Sequence, residues 1–239
     1  MTPYYETELG KLYHGDCLEI MPHLEPVDLV LTDPPYPQLL GGLTHYGKGV
    51  AKSVNLSKSV GTPWGNDMTW IQIAYEKANL GLMVFCSYHS VDIIPGLIPE
   101  AKKAGLFTWF KPNSPLPINN VPRFMTEYVW MFRKSPGLKW NKISTFQNIA
   151  SVPGGCMGKE RIKNSDGLTA HPTQKPKKLM MYLLKIGGES VLDCFSGTGT
   201  TLFCCERLNR KWIGIEIEEK YCEIAAKRIE QERKQLKLF

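Results

Sequence analysis

The chain has 239 residues, with 43% hydrophobic and 22% charged residues and a net charge of +6 from 29 Lys/Arg and 23 Asp/Glu. It is too apolar for a disordered chain and too mixed for a fibrous one. No window reaches the roughly 18 uninterrupted apolar residues of a membrane span.

Met1–Glu6 holds no basic region followed by an apolar core, so no signal peptide is expected. Short apolar runs at Lys11–His14 and Val27–Thr32 predict the first strands. The second runs directly into Asp33-Pro34-Pro35-Tyr36. Adjacent prolines fix the backbone and remove two donors, so a carboxylate, a carbonyl and an aromatic ring are held together at a strand end. Ligands of open α/β sheets bind at that end. Such a trio suits an exocyclic amine on a planar base: the oxygens accept its N–H groups and the ring stacks. The alternatives are a rigid connection or a proline-rich docking motif.

Residues 37–66 contain six glycines and many Ser/Thr. They are too long for a plain connection and are expected to form a lid or binding loop. Beyond them a helix is predicted over Thr69–Asn79, a strand at Leu82–Cys86, a helix over Val91–Ala104 and strands at Phe107–Phe110 and Tyr128–Phe132. Residues 136–170 again break the rhythm, with Pro136-Gly137, Pro153-Gly154-Gly155 and Asp166-Gly167. Helices follow at Lys177–Ile186, Thr200–Asn209 and Glu218–Lys237, and strands at Ser190–Cys194 and Trp212–Ile217. Strands alternating with helices, several apolar on both faces, predict one open α/β domain with two insertions, the alternative being two small domains with the second insertion as their linker.

Asp193-Cys194-Phe195-Ser196-Gly197-Thr198-Gly199-Thr200-Thr201 reads as strand end, glycine turn and helix start. Glycines admit close approach of a ligand, and the helix N-terminus favours an anionic group. The turn matches neither a phosphate-binding P-loop nor the dinucleotide fingerprint. Glu216 ends the next strand, 23 residues after Asp193, where an acid can accept from ribose hydroxyls. The alternative for Glu216 is complementing the dipole of the final helix. Asp193 either caps the turn or faces the ligand.

Charge is uneven. Residues 133–178 carry ten Lys/Arg against two acids, a local surplus of +8, so the remainder sums to −2. A basic segment on a near-neutral body fits a polyanion partner, or else a solvated lysine-rich loop. Seven cysteines, without metal-ligand spacing, predict free thiols in a reducing compartment and no metal site.

The pairing of Asp33–Tyr36 with Asp193–Thr201 resembles the amino-directed DNA methyltransferases that use S-adenosylmethionine. The catalytic motif precedes the cofactor glycines, as in the circularly permuted β group. His171-Pro172-Thr173-Gln174-Lys175-Pro176, Gly15-Asp16-Cys17-Leu18, and Gly214-Ile215-Glu216 leading to Tyr221, Ala225 and Arg228 complete five motifs in the family's order.

The resemblance implies a Rossmann-like sheet, mostly parallel with one reversed strand and helices on both faces, with Phe107–Pro112 and Tyr128–Phe132 as the closing hairpin. Asp33, Pro34, Pro35 and Tyr36 would grip the flipped base. Asp16 and Cys17 would meet the cofactor's adenine, Glu216 its ribose, and His171, Thr173 and Lys175 its methionine carboxylate. Asp33, Asp193, Phe195, Gly197, Gly199 and Thr200 would line the rest. Trp109 and Lys111 fall near the family's aromatic motif, with a core role as the alternative for Trp109.

The implied activity is N6-adenine methylation of double-stranded DNA, with N4-cytosine as the alternative. Asp at position 33 leans to adenine. More distant alternatives are a protein glutamine methyltransferase and an inactive DNA-binding module. Target recognition is expected in 136–170, with Lys139, Lys142, Lys159, Arg161 and Lys163 as DNA contacts. The family further implies a cytoplasmic monomer or homodimer with no membrane partner, and allows a companion restriction endonuclease.

Overall fold

The computed structural model describes residues 1–35, 68–88, 90–113, 125–134, 147–153, 162–163, 167, 170 and 173–236. Nine strands form a single sheet: β1 Tyr5–Glu6, β2 Gly10–His14, β3 Val27–Thr32, β4 Ala78–Cys86, β5 Lys102–Phe110, β6 Thr126–Arg133, β7 Ile149–Ser151, β8 Ser190–Asp193 and β9 Lys211–Glu216. Their spatial order is β1-β2-β9-β8-β3-β4-β6-β5-β7. Neighbours from β2 through β4 are all parallel. The strand β6 runs against both β4 and β5, which makes it the reversed strand of the body. A second reversal is the two-residue β1, antiparallel to β2 at the edge.

The helices are α1 Cys17–Ile20, α2 Trp70–Lys77, α3 Ile94–Leu97, α4 Lys177–Leu183, α5 Thr200–Arg207 and α6 Glu219–Leu236. They cover both faces of the sheet. One core layer joins Leu179, Leu183, Leu202, Cys205, Cys222, Ala225 and Ile229 of α4, α5 and α6 to Leu29, Leu31 and Trp212. The other joins Cys17, Ile20, Trp70, Ile71, Ala74 and Ile94 of α1, α2 and α3 to Val30, Leu82, Val84, Leu192 and Ile215. The alternation Leu29/Leu31 against Val30 is a strand's period of two, with both faces apolar because both are covered.

All seven expected strands form. The helix expected over Val91–Ala104 does not. Only Ile94–Leu97 is helical there: Pro95 sits in its first turn and stops a helix from running through from Val91, Pro99 follows its end, and Lys102 already begins β5. Lys102 and Lys103 pair with Arg133 and Phe132, so cross-strand bonding extends β5 back over residues whose local pattern reads as helix. Edge strand β1 has no predicted counterpart, and neither has β7. The latter lies inside the expected recognition segment 136–170 and pairs with β5. The insertion 37–66 lies outside the described residues. All six cysteines among the described residues are buried free thiols, and no cluster there could hold a metal ion. No helix among them is long and apolar enough to cross a membrane.

The two motifs, some 160 residues apart, lie side by side because β3 and β8 are hydrogen-bonded neighbours, with Leu29 opposite Val191 and Val30 opposite Leu192. Their register is pinned at the opposite end. There the Asp28 carboxylate accepts from the Glu189 and Ser190 N–H groups at 2.6 and 3.2 Å, and Ser190 Oγ accepts from Asp28 N–H at 2.9 Å.

Candidate active site

The strand β3 delivers Thr32, fully buried, and then stops at Asp33-Pro34-Pro35. Prolines cannot donate to a sheet ladder, so pairing ends where the motif begins. Pro34 is buried and Pro35 half-buried. Asp33 keeps 22% of its side chain exposed, enough to meet a substrate at the sheet's carboxyl edge.

Beside it, β8 ends at Asp193 and turns through Phe195–Gly199 into α5. The Asp193 carboxylate is buried and accepts from Thr32 Oγ1 at 2.8 Å, Thr201 Oγ1 at 2.6 Å and the Phe195 N–H at 3.2 Å. Burial is the main influence on it, and its carboxyl is pushed up to about 6 despite those three donors. These bonds tie Asp193 to the turn and to β3.

Gly197 and Gly199 both have positive φ, +51° and +73°. A Cβ on Gly199 would stand 2.7 Å from the Ala225 Cβ, so α6 packs directly onto the turn. Arg228, three residues on, is buried and reaches the same turn, donating to Thr198 O and, at 3.2 and 3.3 Å, to the hydroxyls of Thr198 and Thr200. Thr200, expected to touch the cofactor, is thereby a buried part of the frame. Phe195 is half-buried and stands edge-on to Trp70, 5.0 Å between centroids.

Glu216 closes the other side. One carboxylate oxygen accepts from the Gly197 N–H at 2.7 Å and the other from the Glu218 N–H at 2.9 Å. Burial raises its carboxyl above the usual range, with those two N–H groups opposing the shift. A carboxylate has about four acceptor positions, so two donors leave capacity for a ligand's hydroxyls. The Glu216 carbonyl accepts from the Gly15 N–H at 2.9 Å, which ties the Gly15-Asp16-Cys17 loop to the same edge. Asp16 caps α1 through the Leu18 N–H at 2.7 Å, and Cys17 is buried beneath it.

Lys175 meets carboxylates from two other elements. Its Nζ donates to Asp33 Oδ2 and lies 3.4 Å from Glu127 Oε2. Its side chain is 7% exposed and sits 5.1 Å over the Phe85 ring. Burial pulls the ammonium down, yet the Asp33 and Glu127 carboxylates outweigh it and hold Lys175 above its ordinary value. Glu127 is bound in turn by Lys111, Nζ to Oε1 at 2.9 Å.

Asp16, Cys17, Asp33, Pro34, Pro35, Asp193, Phe195, Gly197, Gly199, Thr200 and Glu216 thus stand at or just beyond the carboxyl ends of β2, β3, β8 and β9. Thr173 is exposed, two residues before Lys175. Tyr36, His171, Lys139, Lys142, Lys159 and Arg161 lie outside the described residues, and Lys163 is exposed. Trp109 is core: it is 2% exposed and its indole N–H donates to Val152 O at 2.7 Å. Sequence reasoning missed Thr32, Thr201 and Glu127. Glu127 opens an apolar strand, where a single acid reads as solvent-facing until the β5–β6 register sets it beside Lys111.

Residues 27–227 match the family model described as DNA methylase. Over 95% of its length the chain is 28% identical to the Type II methyltransferase M2.LlaDCHI of Lactococcus lactis subsp. cremoris, covering 91% of that protein. It is also 28% identical to the Type II methyltransferase M2.DpnII of Streptococcus pneumoniae, over 96% of this chain and 93% of that one. Among solved structures, PvuII DNA methyltransferase (cytosine-N4-specific) superposes with a TM-score of 0.70 at 24% identity, covering 95% of this chain and 88% of that one. The M1.HpyAVI–SAM complex gives 0.65 at 24%, covering 92% and 99%.

Proposed function

The chain belongs to the DNA methylase family, and from that premise we propose that this S-adenosylmethionine-dependent enzyme methylates the N6 amino group of an adenine flipped out of double-stranded DNA. The observation that carries the reading is the adjacency of Asp33-Pro34-Pro35 at the end of β3 and the glycine turn at the end of β8, on paired central strands. A group held by the turn and an amine held by Asp33 share one edge of the sheet.

The residues fit the cofactor. Glu216, fixed to the Gly197 N–H with acceptor capacity to spare, suits ribose hydroxyls. Asp16 and Cys17 suit the adenine, and Thr173, with His171, the methionine carboxylate. Bound there, S-adenosylmethionine supplies a methyl group already activated by its sulfonium centre.

The protein's task is positioning and electrostatics. A target amine inside a duplex is reached by flipping the nucleotide out, and Tyr36 would stack on the flipped base. The amine's lone pair is delocalised into the ring. Donating its two hydrogens to the Asp33 carboxylate and the Pro34 carbonyl favours the pyramidal, nucleophilic form.

N4-cytosine is the second reading, since cytosine presents the same kind of amine and the cytosine-N4-specific PvuII enzyme shares the fold. Methyl transfer to defined oligonucleotides, resolved by nucleoside mass spectrometry, decides between them: N6-methyladenine is expected, and N4-methylcytosine as sole product overturns the adenine assignment. Asp33→Ala should abolish transfer while cofactor binding survives. We read the chain as a cytoplasmic monomer or homodimer, and its likeness to Type II methyltransferases suits a companion restriction endonuclease.

A further inference from the structure

Four charged side chains from separate parts of the chain meet at the catalytic edge. Asp33 follows β3, Lys175 precedes α4, Glu127 lies in β6 and Lys111 follows β5. Contacts run in series: Asp33 with Lys175, Lys175 with Glu127 at 3.4 Å, and Glu127 with Lys111 at 2.9 Å. All four side chains are at most 22% exposed. Burying so many charges is costly unless each meets an opposite partner, and here two acids alternate with two lysines. Lys111 is further held 5.5 Å over the Trp109 ring. The site is therefore built, and its first member is the residue proposed to accept the substrate amine.

We propose that Lys175 is a positioning residue for catalysis: it fixes the plane of the Asp33 carboxylate and keeps it ionised, while Glu127, braced by Lys111, draws off part of the Lys175 charge so that Asp33 stays a strong acceptor. A lysine bound to Asp33 alone would neutralise it and weaken its hold on an amine. A lysine shared with a second carboxylate orients Asp33 at less cost to its accepting power. The other titratable groups around Asp33 are Asp193 on β8 and Cys86 on β4. The Cys86 thiol is pushed up by burial to about 12 and stays neutral. Asp193 is raised mainly by burial and also feels the Asp33 charge, so the Asp33 titration is read directly beside the rate.

The inference rests on Asp33 as the amine acceptor, and the experiment separates the two. Single-turnover methyl transfer is followed against pH for the wild type, Lys175→Met, Lys175→Arg, Glu127→Gln and the Lys175→Met/Glu127→Gln pair. The Asp33 carboxyl is titrated in the same proteins by carbon-13 NMR, assigned with Asp33→Asn.

Removing the cation that sits between two carboxylates should move both the acid limb and the Asp33 titration up by about one to three pH units in Lys175→Met. Lys175→Arg should restore most of this shift, and the double variant should reverse part of it. The cofactor dissociation constant should hold. Wild type without transfer to any base sinks the functional reading, and the NMR titration then still decides the inference. An unmoved Asp33 titration in Lys175→Met overturns it. So does a rate loss equal at every pH, or a loss confined to cofactor binding, which would return Lys175 to the methionine carboxylate. Should Lys175→Met fail to fold, Glu127→Gln carries the test alone, with the Asp33 titration moving down; no movement overturns the inference.

Discussion

Thr32 Oγ1 donates to Asp193 Oδ1 at 2.8 Å, joining the last residue of β3 to the last residue of β8 across 161 positions of sequence. Both residues are buried. The bond is the seam between the motif proposed to hold the amine and the turn proposed to hold the cofactor.

Thr32→Val keeps the shape and removes the donor. Among the described residues, the buried Asp193 oxygen then retains only the longer hydrogen bond from the Phe195 N–H at 3.2 Å. Leaving such an acceptor underserved costs about 1–3 kcal/mol. Urea unfolding should show that loss, and calorimetry should show weaker S-adenosylmethionine binding as the turn loosens. An unchanged midpoint together with an unchanged dissociation constant would mean that the two motifs are not coupled through this bond.

Asp193 also gives a pH signature. Burial, opposed by its hydrogen bonds, raises its carboxyl from 3.8 to about 6. Between those values the folded protein binds more protons at this site than the unfolded chain. This contribution to stability is therefore greatest at low pH, falls as pH rises from about 4 to about 6, and levels off above that. A shift of this size corresponds to roughly 3 kcal/mol across the window. Asp193→Asn removes the titration, so its unfolding midpoint should fall less than that of the wild type between pH 4 and 7. Parallel curves for the two proteins would contradict the assignment.

Gly199→Ala carries two faults. Its φ of +73° places any side chain in the left-handed region, at about 1–2 kcal/mol. Its new Cβ would stand 2.7 Å from that of Ala225, which adds about 1–3 kcal/mol of overpacking. Ala225→Gly in the same chain should recover the packing fault and leave the backbone fault. Thermal unfolding of the four proteins in the cycle measures this coupling. Additive losses would show that α6 does not press on the turn.

The architecture was legible because the central strands are apolar on both faces and bounded by their motifs. Val27–Thr32 and Ser190–Asp193 carry their own start and stop signals. What was not legible depends on register. Nothing local shows that Glu127 will face Lys111 and Lys175, since that meeting arises only when β6 inserts between β4 and β5. The same holds for Thr32, an ordinary strand residue until β8 pairs with it. The false helix over Val91–Ala104 has a related cause. Lys102 and Lys103 are ordinary helix formers locally, and cross-strand bonds to β6 override that preference. Lys175 stands out in the sequence through its motif, but its partners come from elements that the motif does not contain.

The basic window 133–178 divides by placement. Lys134 donates to Glu76 O at 3.0 Å and lies 4.8 Å over Tyr75, so it is bound to α2. Lys177 lies 3.8 Å over Phe203, and Lys175 is taken up by Asp33 and Glu127. Part of the +8 thus serves the fold and the catalytic edge. The candidates left for phosphate binding include Lys139, Lys142, Lys159, Arg161 and the exposed Lys163. Replacing the first four by glutamine should weaken binding to all DNA sequences alike, because phosphate contacts position without specifying. Each phosphate anchor removed should also reduce the slope of log affinity against log salt by about 0.9. Lys134→Gln is the control: it should lower stability by releasing the Glu76 carbonyl and the Tyr75 ring of α2, and leave the salt slope alone. Fluorescence anisotropy across a salt series reads the slope, and urea unfolding reads the control's stability. A quadruple variant with the wild-type slope would move the DNA-binding face away from this segment.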